Sequence, residues 1–157
     1  MKVQLDSLKL VGIQEVGPSS FNAEADSGAK FGDQLWQKFI QLVVSADLNP
    51  QRKMYGVSWP ADNLTPPQLI NYFVGFQDIG ENYSDKFSNL ILTGGDYFEF
   101  TYKGSPRDID NGFIVAYTSA LPKSGLKSRE GQHLEIYSED FDPTASEIQF
   151  KILIPVN

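Results

Sequence analysis

The sequence predicts an α+β fold: a largely antiparallel sheet with two helices, built from duplicated β-α-β-β modules around a central cleft. Three observations lead there. One segment has a clear helical stripe and a second is amphipathic, while the other apolar segments are short and rich in β-branched and aromatic residues. The order of elements in residues 1–80 recurs in residues 85–157. No βαβ crossover pattern of the kind that builds a doubly wound parallel sheet is present.

Residues 3–16 read as a strand ending at the turn Gly17-Pro18-Ser19-Ser20. In residues 31–44, Leu35, Trp36, Phe39, Leu42 and Val43 fall at helical spacing, and Asn49-Pro50 follows the stop. Residues 55–59 and 70–79 read as strands, separated by a Pro-containing loop over 60–67. The second half opens with a β segment over 87–103, broken at Gly94-Gly95. An amphipathic stretch over 109–121 follows, then a turn at Ser124-Gly125 and strands over 133–139 and 147–156. Local details recur as well. Val16-Gly17-Pro18-Ser19 is echoed by Lys103-Gly104-Ser105-Pro106, and Met54-Tyr55-Gly56-Val57-Ser58 lies where Leu134-Glu135-Ile136-Tyr137-Ser138 falls. The offsets, near 87 at the turns and 80 at these strands, require small insertions or deletions between the halves.

At 157 residues, 41% hydrophobic and 21% charged, the chain has the size and composition of one domain that folds without a partner. Its 13% aromatic content, from 11 Phe, 7 Tyr and 2 Trp, suggests a pocket. A formal charge of −7 with no basic run argues against direct nucleic-acid binding, and strand-like sequence from Val3 leaves no room for a helix-turn-helix before it. With no Cys and one His, disulfides, thiolate metal sites, Cys nucleophiles and multi-His cages are excluded; no metal and no cofactor are expected. The N-terminus lacks a signal-peptide pattern and no apolar run approaches the roughly 18 residues of a membrane span, so a cytoplasmic location is expected.

Three stretches carry a family resemblance: Met54-Tyr55-Gly56-Val57-Ser58-Trp59; Gly94-Gly95-Asp96-Tyr97 with the strand running on to Lys103-Gly104; and Leu134-Glu135-Ile136-Tyr137 with Phe141-Asp142-Pro143 and Ile154-Pro155-Val156. In their order and spacing they resemble the GyrI-like, or AraC-type effector-binding, small-molecule-binding domain, a family related to the SOUL-type fold. The similarity extends over nearly the whole chain. It implies a single domain over 1–157 with a hydrophobic cleft between two pseudo-symmetric modules. It also implies a small-molecule ligand, lipophilic or cationic. Relatives of this kind act as drug or effector sensors in transcription regulation, as multidrug-binding or sequestering proteins, as gyrase-protecting proteins, or as hydrolases of cyclopropane-containing toxins. One departure is Gly112 in the second helix, which is expected to loosen the start of that helix.

Alternation along His133-Leu134-Glu135-Ile136-Tyr137 sends Glu135 and Tyr137 to one face. Across the apparent duplication, Tyr55, Val57 and Trp59 take the corresponding face. Patterning alone favours a Glu135 that faces solvent or pairs with Lys53 or Lys151; the resemblance reverses that preference, because the family's cleft glutamate maps to Glu135. An anion among aromatic faces suits a lipophilic cation, and burial is expected to raise its pKa. The candidate ligand-binding set is Glu135, Tyr137, Tyr55, Trp59, Tyr97 and Tyr102, two or three of the aromatics lining the cleft and the rest packing in the core. In a hydrolase, Glu135 would activate water or stabilise positive charge, and Tyr137 or Tyr97 would donate a proton. Trp36 is read as core, with the cleft edge as the second reading, and His133 as ordinary surface or capping structure rather than a haem ligand. The acidic run over 138–142 lacks EF-hand spacing and reads as a solvated turn. Gly94-Gly95 reads as a tight strand connection, not a phosphate loop. Three functions remain open at this point: a binding module, a hydrolase, or an acidic protein that docks on a basic partner.

Overall fold

The computed structural model describes residues 1–22 and 27–157. Its strands are β1 (Lys2–Leu5), β2 (Leu8–Pro18), β3 (Met54–Pro60), β4 (Leu69–Gln77), β5 (Ser88–Leu92), β6 (Gly95–Gly104), β7 (His133–Tyr137) and β8 (Ile148–Pro155). Helix α1 spans Ser27–Ser45. The second helical stretch begins as α2 (Ile109–Val115), widens through a π-type turn over Ala116–Ala120 and ends as α3 (Leu121–Ser124). All eight strands form one antiparallel sheet in the order β1-β6-β8-β7-β3-β4-β2-β5.

This order curls the sheet. Asp6 and Ser7 alone join β1 at one end to β2 near the other, and Thr93 and Gly94 alone join β6 to β5 at the far edge. So short a link spans about 10 Å at most, so the two ends of the sheet must approach each other. The predicted strand over 3–16 is therefore two strands with different partners, β6 for β1 and β4 with β5 for β2. The inside of the curl is filled by Leu10, Tyr55, Val57, Phe73, Tyr97 and Leu134 among others.

The helices cover the outer face. Leu35, Phe39 and Val43 of α1 recur at i, i+4 and i+8 and pack on Val11, Tyr72, Val74 and Phe76. Ala116 and Leu121 pack on Phe98, Tyr102, Phe150 and Ile152. Gly112 differs from expectation. It is buried directly over Tyr102, and a Cβ there would lie 2.4 Å from Tyr102 Cδ2, so the glycine permits α2 to approach the sheet closely. No helix among the described residues is long and apolar enough to cross a membrane.

Candidate functional site

Between the two helical segments and the sheet lies a cavity of about 470 Å³. Its floor comes from the central strands, where β3 and β7 pair with Gly56 directly opposite Glu135. Opposed residues of an antiparallel pair share a face, so the missing side chain of Gly56 leaves room beside the carboxylate. A Cβ at Gly56 would sit 2.8 Å from Tyr72 Oη and 3.0 Å from both Glu135 Cδ and Oε2.

Glu135 is 8% exposed and lines the cavity. Tyr72 Oη donates to Glu135 Oε1 at 2.9 Å, Tyr137 Oη donates to the same oxygen, and Trp36 Nε1 donates to Tyr72 Oη at 2.9 Å. Both tyrosine hydroxyls thus converge on one carboxylate oxygen, Oε1. Burial raises the Glu135 carboxyl above the usual glutamate value; the tyrosine hydrogen bonds oppose the shift, and the charge of Asp110 adds to it. Burial, followed by the charge of Glu135, drives the Tyr72 and Tyr137 hydroxyls well above the usual tyrosine range, so they act as fixed donors.

A second polar pair sits on the same face of β7. Tyr117, carried inward by the π-type turn, hydrogen-bonds His133 Nδ1. Burial lowers His133 to about 4, so its imidazole is neutral at physiological pH. Apolar walls complete the enclosure: Trp36 meets Tyr137 edge-on at 5.3 Å between ring centroids, and Phe21 meets Tyr117 edge-on at 5.5 Å. The charged residues of the lining are Glu135, Asp33 on α1 and Asp110 on α2; no Lys or Arg lines the cavity among the described residues.

Of the residues singled out in the sequence, Glu135, Tyr137 and Trp59 line this cavity, Trp59 also packing against the cluster inside the curl. The other three lie elsewhere. Tyr55 opposes Ile136 rather than Glu135 and is buried inside the curl, under Lys53, whose Nζ lies 5.6 Å from its ring centroid. Tyr97 is also inside the curl, donating to the Thr93 carbonyl at 2.9 Å. Tyr102 is on the helix face but is covered by α2, and its hydroxyl donates to the Ser105 carbonyl. Lys151 pairs with Glu99 at 3.1 Å, so neither of the lysines considered as partners engages Glu135. Sequence reasoning did not name Tyr72, Tyr117, Asp33 or Asp110 as site residues and took His133 for surface or capping structure; all five line the cavity, and Trp36 both packs against the core beneath α1 and lines the cavity, so its two readings both hold. Tyr72 could have been found only through register, because it opposes Ser58 on the Glu135 face.

Comparison with known proteins identifies the family. The family model for the GyrI-like small molecule binding domain matches residues 1–157. The right origin-binding protein of Escherichia coli (strain K12) is 25% identical over 161 residues, covering 98% of this chain and 54% of that protein. The transcriptional regulator Rob of Salmonella typhimurium is 24% identical with the same coverage, so the chain spans about half the length of these curated relatives. Among solved structures, SAV2435 bound to tetraphenylphosphonium matches with a TM-score of 0.69 at 22% identity, over 100% of this chain and 93% of that one. The integron cassette protein VCH_CASS2 of Vibrio cholerae matches with a TM-score of 0.72 at 14% identity, over 100% of this chain and 95% of that one. With the family model spanning every residue, the chain belongs to the GyrI-like small-molecule-binding domain family.

Proposed function

We propose that the cavity captures lipophilic organic cations, with Glu135 as the charge selector and the aromatic walls supplying burial. The observation that carries this reading is a nine-tenths-buried carboxylate in an aromatic cavity whose described lining holds no Lys or Arg. A carboxylate without a counter-charge is costly to bury, and the Tyr72 and Tyr137 hydroxyls offset part of that cost by donating to it without supplying a positive charge. A cation about 4 Å away contributes roughly 4 kcal/mol of Coulomb attraction at an effective dielectric of 20, and aromatic faces add cation–π attraction. Desolvation offsets part of this gain. SAV2435, a protein of the same fold, has been solved bound to tetraphenylphosphonium, a lipophilic cation, which supports this reading.

Titration calorimetry with tetraphenylphosphonium and its anionic isostere tetraphenylborate tests the reading, because the two share shape and apolar area. The cation is expected to bind at least tenfold tighter; equal affinity would leave burial as the sole driving force. Ligand recovered unchanged after prolonged incubation is expected of a binding module, and recovery of a cleaved product would replace that function with a hydrolase.

A further inference from the structure

His133, Glu135 and Tyr137 alternate along β7 and line the cavity together. Charge selection engages Glu135 and Tyr137 and leaves the pair of His133 and Tyr117 without a role. That pair is polar in apolar surroundings: Phe21 meets Tyr117 edge-on, and the Tyr117 and His133 ring centroids are 5.5 Å apart. Tyr117 reaches it from the π-type turn over Ala116–Ala120, an irregularity that helices often carry at functional sites. The chemistry of the pair decides which proton it offers. Burial, and then the charge of Glu135, hold the Tyr117 hydroxyl protonated far above the usual tyrosine range, so Tyr117 Oη donates and His133 Nδ1 accepts. A neutral imidazole carries a single N–H, and with Nδ1 accepting, that hydrogen is on Nε2. The ring is half-buried in the cavity wall, with Nε2 on the edge away from Tyr117.

Resting on the cation-binding reading, we propose that His133, oriented by Tyr117, forms a second subsite that selects lipophilic cations carrying an uncharged oxygen acceptor, such as a carbonyl, set apart from the positive centre. A neutral donor suits this task, because it can hold an oxygen without repelling the cation that Glu135 attracts. Spacing follows from the strand. His133 and Glu135 are two residues apart on one face of β7, which separates the donor from the carboxylate by about 7 Å along the strand. A rigid ligand with its oxygen at that distance from its charge engages both groups at once. Tyr117 acts as a positioning residue, since its hydroxyl fixes the tautomer that puts the donor on Nε2.

The ions (4-acetylphenyl)triphenylphosphonium and (4-isopropenylphenyl)triphenylphosphonium provide the test, since they match in charge and shape and differ by a carbonyl oxygen in place of a methylene. Titration calorimetry is expected to give the acetyl compound about a fivefold advantage, the scale of one net neutral hydrogen bond. In His133→Phe the ratio of the two affinities is expected to fall to one while both ions still bind. Tyr117→Phe keeps the imidazole but releases its tautomer, so there the ratio is expected to fall part of the way. His133 is the one histidine of the chain, so nitrogen-15 histidine labelling reports on it alone, with no variant needed. At neutral pH the spectrum is expected to show Nε2 protonated and Nδ1 unprotonated, and a mixture of tautomers in Tyr117→Phe. Equal affinities in the unaltered protein, a ratio that survives His133→Phe, or a proton on Nδ1 would each overturn the proposal while leaving cation capture intact. Failure of the isopropenyl compound to bind at all would instead defeat the cation reading, and this inference with it.

Discussion

Glu135 illustrates a group kept at a cost to the fold. Because its folded pKa is raised, its contribution to stability is complete below the ordinary glutamate range and is lost as pH rises through the folded value. At neutral pH it therefore destabilises the ligand-free protein. Glu135→Gln keeps an oxygen to accept from Tyr72 and Tyr137 while removing the buried charge, so its melting temperature at pH 8 is expected to exceed that of the unaltered protein by a few degrees. A scanning calorimeter reads this directly, and a lower melting temperature would mean that the charge is stabilising where it sits. Cation binding has the opposite dependence on pH. It requires the carboxylate and is expected to weaken as pH falls through the folded Glu135 pKa. Tyr72→Phe removes one of the two hydrogen bonds that hold that pKa down, so the midpoint of the binding-versus-pH curve should move upward. An unmoved midpoint would place the titrating group elsewhere.

At the scale of elements, the second helix is positioned by what it lacks. Gly112→Ala gains up to about 1 kcal/mol of helix propensity, yet its Cβ would lie 2.4 Å from the Tyr102 ring, which packs at a tilt against Phe150 with ring centroids 5.3 Å apart. Overpacking of this kind costs about 1–3 kcal/mol, so the clash should win. Denaturant titration is expected to give a net loss, together with weaker ligand binding as Phe113 and Tyr117 move with the helix. A stabilised variant would mean that α2 has slack above the sheet. Element types were readable because they depend on local pattern: the α1 stripe, the break at Gly94-Gly95 and the alternation of β7 all reappear in the fold. Faces across strands were not readable, because a one-residue change of register sends every side chain to the other side. Matching the halves at an offset near 80 set Tyr55 beside Glu135, whereas the β3–β7 register opposes Gly56 to Glu135. The same limit hid Tyr72, which reaches the carboxylate only because β4 pairs with β3.

Across the whole molecule, the strand order reads alike in both directions from the central β3–β7 pair, β7-β8-β6 one way and β3-β4-β2 the other. We read this as the outcome of a duplicated β-α-β-β unit, and it accounts for a cavity that lies where the two halves meet, beneath both helices. A formal charge of −7 predicts that the purified chain leaves duplex DNA unretarded at physiological salt; salt-sensitive, sequence-selective retardation would contradict that expectation. The central claim, that one buried carboxylate makes the cavity selective for positive charge, is tested most directly by calorimetry on Glu135→Gln with tetraphenylphosphonium and tetraphenylborate. The account predicts that the cation weakens by about 1–3 kcal/mol while the anion holds or improves, closing the gap between them. Equal changes for both ions, or none for either, would show that Glu135 is not the selector.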